Sequence, residues 1–113
     1  NIKFIDSVLY QAEYEYNKIK DLIKKYDKDN SINKIILVTH SVGHSSFKVV
    51  DKSTDYNTMF KNIKSDKLSY WLFGHTHYDI YNKIDGVEYI CNPRGRPDDF
   101  NRLEYDLKTL IIH

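Results

Sequence analysis

The feature that most constrains this fold is a pair of short apolar segments, each followed after one residue by a histidine. Ile35–Val38 leads into His40, and residues 70–73 lead into His75 and His77. Continuous apolar runs of this length, rich in β-branched or aromatic residues, are typical of strands buried on both faces. The sequence therefore predicts two core strands that end in side chains able to bind a metal.

The rest of the chain predicts a mixed arrangement of α and β layers, of the α+β or α/β class. Apolar residues recur at three- and four-residue steps over 6–26, which predicts an amphipathic helix with Asp6 or Ser7 as its cap. The dipeptide Asp85-Gly86 between two apolar segments is a strong hairpin signal. The other predicted elements are hairpin strands over 78–84 and Val87–Cys91, a weak helix over 55–64, a long loop over 41–53, and terminal strands over 102–106 and 110–112.

Composition and charge exclude several classes of protein. The chain has 113 residues, which fits a single domain spanning 1–113, and its 41% hydrophobic and 29% charged residues are typical of globular proteins. A formal net charge of +1 gives no strong field for nucleic acid or an anionic membrane, so neither is expected as a partner. No segment resembles a signal peptide or a transmembrane span, and a single cysteine, Cys91, fits a reducing compartment. We therefore expect a soluble intracellular protein, cytoplasmic by default.

The spacing of the histidines predicts the kind of metal site. On a strand, His75 and His77 would point the same way with backbones about 6.6 Å apart, a separation that suits two ions about 3.5–4 Å from each other. If the two strands are parallel neighbours, His40 joins them at one rim of the sheet. Gly74 is expected to permit a close backbone approach or a special dihedral angle at this turn. Surface histidines would explain a bare His-x-His, but three histidines at the ends of two buried strands favour a metal centre.

These motifs, in this order, resemble the second half of the calcineurin-like metallophosphoesterases. The matching elements are Thr39-His40, Gly74-His75-Thr76-His77 and Asn92-Pro93-Arg94-Gly95, within residues 35–95. The resemblance implies the second half of a four-layer β-sandwich flanked by helices, and a hydrolase acting on a phosphoester. It also implies two divalent or transition metal ions (Mn, Fe, Zn or Ni), with His40 and His75 as ligands of one ion and His77 as a ligand of the other.

The same resemblance identifies what this chain lacks. The family's Asp-x-His, Gly-Asp-x-x-Asp and Gly-Asn-His-Asp/Glu motifs supply the remaining ligands, the bridging aspartate and the general acid, and none of them occurs here. Three neutral imidazoles cannot neutralise two divalent ions, and hard cations prefer carboxylates. We therefore expect a C-terminal portion of a larger domain, which needs its N-terminal half or a complementing chain. A first residue of Asn1, instead of methionine, agrees with that expectation.

Secondary candidates and two other hypotheses stay open at this point. Arg94 can meet a phosphate as a bidentate fork or can fix its own loop, and His44 lies close to His40 in the sequence but in a predicted loop. The chain can also be a non-catalytic remnant of the fold that acts as a binding or interaction module. A small structural zinc protein is disfavoured, because such sites usually use four ligands that include cysteines.

Overall fold

The computed structural model describes residues 2–40, 63–75, 78–95, 98 and 105–112. These residues form one helix, α1 (Ile2–Asp27), and four strands, β1 (Ile35–Val38), β2 (Leu68–Leu72), β3 (Ile80–Ile84) and β4 (Val87–Cys91). The predicted combination of α and β elements is thus confirmed. The predicted loop over 41–53 lies outside the described residues, as do most of the predicted helix over 55–64 and of the predicted strand over 102–106.

Helix α1 begins at Ile2, four residues earlier than the sequence predicts. The proposed cap at Asp6 or Ser7 is therefore wrong, because both positions lie inside the helix. Residues 2–5 contain no glycine or proline to interrupt a helix, so the backbone continues through them. At the other end, Lys24 and Lys25 lie in the last turn, where their charge complements the negative end of the helix dipole.

The strands form one mixed sheet in the order β1-β2-β4-β3. Strand β2 pairs in parallel with β1 on one side and with β4 on the other, whereas β3 pairs antiparallel with β4. The two histidine-bearing strands are therefore parallel neighbours, which is the condition under which the sequence places their histidines at one rim. The register places Leu37, Trp71 and Tyr89 in one row across three strands.

One face of the sheet carries the hydrophobic core. Trp71 and Cys91 are the most deeply buried of its side chains, with 1% and 0% of their surface exposed. The opposite face of β1 is open, since Val38 is 69% exposed and Ile36 is 40% exposed. Strand β1 is therefore not buried on both faces as its apolar run predicts, because the described part of the chain leaves this face uncovered.

The predicted hairpin at Asp85-Gly86 is confirmed, and its geometry explains the two residue types. Strands β3 and β4 pair directly on either side of the turn, with Ile84 opposite Val87. Asp85 and Gly86 both have positive φ, at 51° and 83°. A two-residue turn with both φ values positive matches the right-handed twist of the strands, and Asp-Gly is a preferred pair for it.

Replacing Gly86 by alanine is expected to lower the free energy of unfolding by about 1 kcal/mol, because an L-residue in this conformation is strained. The strain is the whole effect, since an added Cβ meets nothing within 4 Å. Thermal unfolding followed by circular dichroism should show a Tm lower by roughly 4–8 °C. Gly86→Asn is the control, because asparagine tolerates positive φ, and a Gly86→Ala protein with an unchanged Tm would contradict the explanation.

The segment 105–112 contains no strand, so the terminal strand predicted over 110–112 is wrong. Leu110, Ile111 and Ile112 are 41%, 74% and 44% exposed, and the segment is held by polar contacts instead of a backbone ladder. The Asn92 side chain donates to the Asp106 carbonyl at 3.0 Å, and the Lys108 ammonium contacts both carboxylate oxygens of Asp79 at 2.6 and 2.5 Å. Within the described ranges, no helix has the length and apolar character needed to cross a membrane.

Candidate metal centre

Two of the three predicted histidine ligands lie side by side at one edge of the sheet. His40 follows the end of β1 and His75 follows the end of β2, and the parallel pairing brings both ends to the same edge. The Nε2 atom of His40 lies 3.2 Å from the Nδ1 atom of His75. The ring centroids are 5.1 Å apart with an interplanar angle of 69°, so the rings meet through their nitrogen-bearing edges and do not stack.

Backbone hydrogen bonds extend past the strand ends and reach the two histidines. The Thr39 N–H donates to the Leu72 carbonyl at 3.0 Å, and the Gly74 N–H donates to the His40 carbonyl at 2.9 Å. These bonds continue the ladder between β1 and β2 as far as the residues next to both rings. The two imidazoles are therefore carried on ordered backbone at the rim of the sheet, although both side chains are exposed.

The special dihedral angle expected at Gly74 occurs at His75 instead, which has a φ of 66°. Gly74 does not have positive φ, and a Cβ built on it would meet the His40 carbonyl oxygen at 3.7 Å, an ordinary contact. The expectation that Gly74 supplies the unusual conformation is therefore wrong. A non-glycine residue in the left-handed region costs free energy and is characteristic of functional sites, so the strain falls on the predicted ligand itself.

The separation of the two ring nitrogens fits two ligands of a single ion. Imidazole nitrogens bind a zinc-sized ion at about 2.0–2.1 Å, so two of them at tetrahedral or octahedral angles lie about 2.9–3.4 Å apart. The measured 3.2 Å falls within that range. The same separation permits a direct hydrogen bond between the rings when one of the two nitrogens is protonated. The two ring nitrogens are therefore spaced to bind one metal ion, and the contact between the rings can also form without an ion.

The described part of the chain does not complete the coordination sphere. No group of three or more His, Cys, Asp or Glu side chains that could hold an ion occurs among the described residues. His77 and His44 lie outside the described residues, so the structure does not test their predicted roles. Arg94 follows β4, the parallel neighbour of β2, and its exposed side chain therefore belongs to the same edge of the sheet as the histidine pair.

Cys91 lies close to this edge but is part of the core. Its side chain has 0% exposure, and its Sγ lies 3.8 Å from the Gly74 carbonyl oxygen. The sequence interpretation of Cys91 as a small core residue agrees with this position. Its thiol packs beneath the turn that carries His75 and supports the backbone there.

One contact beside the histidine pair is not evident from motifs. The indole N–H of Trp71 donates to the Thr39 hydroxyl at 2.8 Å, which joins the most buried aromatic residue to the neighbour of His40. In the sequence, Trp71 is only one member of the apolar run over 70–73. The signal for this contact is a threonine immediately before the strand-end histidine together with a tryptophan on the adjacent strand.

Comparison with protein-family models, curated proteins and solved structures finds no match to this chain. The sequence motifs and the geometry of the histidine pair therefore carry the functional argument.

Proposed function

We propose that this chain contributes the histidine ligands of a dinuclear metal centre that hydrolyses a phosphate ester. The observation that carries the proposal is the contact between His40 and His75, with ring nitrogens 3.2 Å apart at the end of two parallel strands. That distance agrees with the two residues being ligands of one ion. It supports the resemblance to the calcineurin-like metallophosphoesterases, in which the chain would form the second half of the four-layer β-sandwich.

The proposal gives each candidate residue a role. His40 and His75 hold one ion through Nε2 and Nδ1, and His77 is a ligand of the second ion. Arg94 offers a planar pair of N–H donors that can bind a phosphoryl group bidentately, and His44 is a second candidate for that contact. When bound, two such ions polarise phosphoryl oxygens and provide an activated water at neutral pH. The metals are Mn, Fe, Zn or Ni.

The proposal requires further groups beyond this chain. Carboxylates are needed to balance the charge of two divalent ions, and the bridging aspartate and the general acid are expected in an N-terminal half or a complementing chain. We refer to that assembly as the complete domain. Cys91 is buried and is the single cysteine of the chain, which fits a reducing compartment and favours an intracellular location for the complete domain.

A single-metal binding module is the alternative function. It is favoured by one observation: among the described residues, only the two imidazoles come together and no acidic side chain joins them. In that case the fold is a non-catalytic remnant that uses His40 and His75 to bind an ion or a partner. The two functions differ in whether a phosphoester is hydrolysed once the missing ligands are supplied.

Titration of the 113-residue chain with Co²⁺ tests the ligand assignment that both functions share. The parent chain is expected to develop the visible absorption of histidine-ligated cobalt, and His40→Ala is expected to weaken binding by at least about 10-fold because one of two facing ligands is removed. His113→Ala is the matched control, since it also removes one histidine but not one of the pair. Equal affinities for the parent, His40→Ala and His113→Ala chains would refute the metal site.

A further inference from the structure

A side-chain hydrogen bond attaches the segment that carries His40 to the hydrophobic core. Trp71 lies in the core at 1% exposure and stacks on Tyr89, with ring centroids 5.6 Å apart and an interplanar angle of 29°. Its indole N–H donates to the Thr39 hydroxyl at 2.8 Å. Because the Trp71 ring is buried and stacked on Tyr89, its indole N–H has a defined position and holds the Thr39 hydroxyl in place.

Backbone and side-chain hydrogen bonds together hold the two-residue segment Thr39-His40. The Thr39 N–H donates to the Leu72 carbonyl at 3.0 Å, and the His40 carbonyl accepts from the Gly74 N–H at 2.9 Å. Any residue at position 39 other than proline would make the first of these bonds. The bond from Trp71 instead requires a hydroxyl at position 39 and an indole at position 71, so it depends on the identity of both side chains.

We propose that Thr39 and Trp71 are positioning residues for the His40 ligand. Their hydrogen bond limits rotation of the peptide that precedes the imidazole, and it thereby keeps the His40 Nε2 at its separation from the His75 Nδ1. Supporting partners of metal ligands typically contribute 10–100-fold to metal affinity or activity. This inference rests on the proposed metal-binding function, but the position of the His40 ring can be tested without any metal.

A purely structural role for the same bond is the competing explanation. A buried indole N–H needs an acceptor, and losing that acceptor destabilises a protein whatever lies nearby. The two explanations therefore agree that Thr39→Val reduces stability. They differ on the histidine pair. Only if Thr39 positions His40 does Thr39→Val also separate the two rings or weaken metal binding in the folded chain.

The test compares Thr39→Val, Thr39→Ser and Val87→Ala in the 113-residue chain. Thr39→Val keeps the β-branched shape and removes the hydroxyl. Thr39→Ser keeps the hydroxyl and removes the methyl group. Val87 is a core residue at the opposite end of β4 from the rim, so Val87→Ala reports core destabilisation alone. Each variant is studied at a temperature where circular dichroism shows it to be folded.

Two measurements separate the outcomes. In the metal-free chain, NMR contacts between the His40 and His75 rings should disappear in Thr39→Val and persist in Thr39→Ser and Val87→Ala. In the Co²⁺ titration, Thr39→Val should bind at least about 10-fold more weakly than the parent, with Thr39→Ser near the parent. Persistence of the ring contacts in Thr39→Val overturns the positioning role. If Thr39→Val loses the ring contacts but the parent chain does not bind Co²⁺ at the histidine pair, the proposed function is refuted. The positioning role of Thr39 and Trp71 then still stands.

Discussion

In the complete domain, His75→Ala is expected to reduce metal-dependent hydrolysis of bis(p-nitrophenyl) phosphate by at least about 100-fold, since loss of a mere supporting partner already costs 10–100-fold. His75 provides one of two ring nitrogens that lie 3.2 Å apart, so its removal leaves His40 alone on that side of the ion. The measurement is kcat/KM with Mn²⁺ in excess, followed by release of p-nitrophenolate.

His75→Gly separates the loss of the ligand from the strain at this position. Both variants lack the imidazole and should be equally inactive. Glycine accepts the φ of 66° without strain, so the glycine variant should be more stable than the alanine variant by about 1 kcal/mol. Hydrolysis by His75→Ala that stays within threefold of the parent would exclude His75 as a ligand of a catalytic ion.

Trp71→Ala should have the largest effect on stability, a loss of about 3–5 kcal/mol in the free energy of unfolding. The side chain is 1% exposed, lies in the centre of the sheet between Leu37 and Tyr89, and donates a hydrogen bond to Thr39. Its removal creates a cavity and leaves the Thr39 hydroxyl without this donor. The free energy of unfolding of domains of this size is only about 5–15 kcal/mol, so this loss is a large fraction of the total.

Urea denaturation followed by circular dichroism measures the free energy of unfolding of the parent and of Trp71→Ala. The control is Tyr10→Ala, an aromatic-to-alanine change on α1 at a side chain that is 71% exposed. Its effect should stay within about 0.5 kcal/mol, as for other surface substitutions. If Trp71→Ala costs less than 1 kcal/mol, the core of the sheet does not depend on this residue.

The elements that carry the site were predictable because their signals are local. Ile35–Val38 has the bounds that its apolar run indicates, and Asp85-Gly86 forms the predicted hairpin because few other pairs accept two positive φ values. The sequence leaves the parallel pairing of β1 and β2 as a condition, and the structure supplies it. With that pairing, His40 and His75 meet as the strand-end positions indicate.

The errors arise where the residue type at one position does not decide the outcome. Asp6 has the residue type of a cap, but the chain before it contains nothing to end a helix, so α1 extends to Ile2. Val38 belongs to an apolar run, yet its exposure depends on what covers that face of β1 and not on its neighbours in the sequence. The left-handed conformation falls on His75 and not on Gly74, whose N–H is bonded to the His40 carbonyl.

The histidine pair joins residues that are 35 positions apart in the chain, so binding of the proposed metal ion would be linked to folding. No short peptide from this protein contains both ring nitrogens, so the unfolded chain presents them only as distant, independent imidazoles. An ion that bridges them therefore binds the assembled sheet in preference to the open chain and shifts the folding equilibrium towards it. Cellular metal supply would then set the amount of folded protein as well as the occupancy of its site.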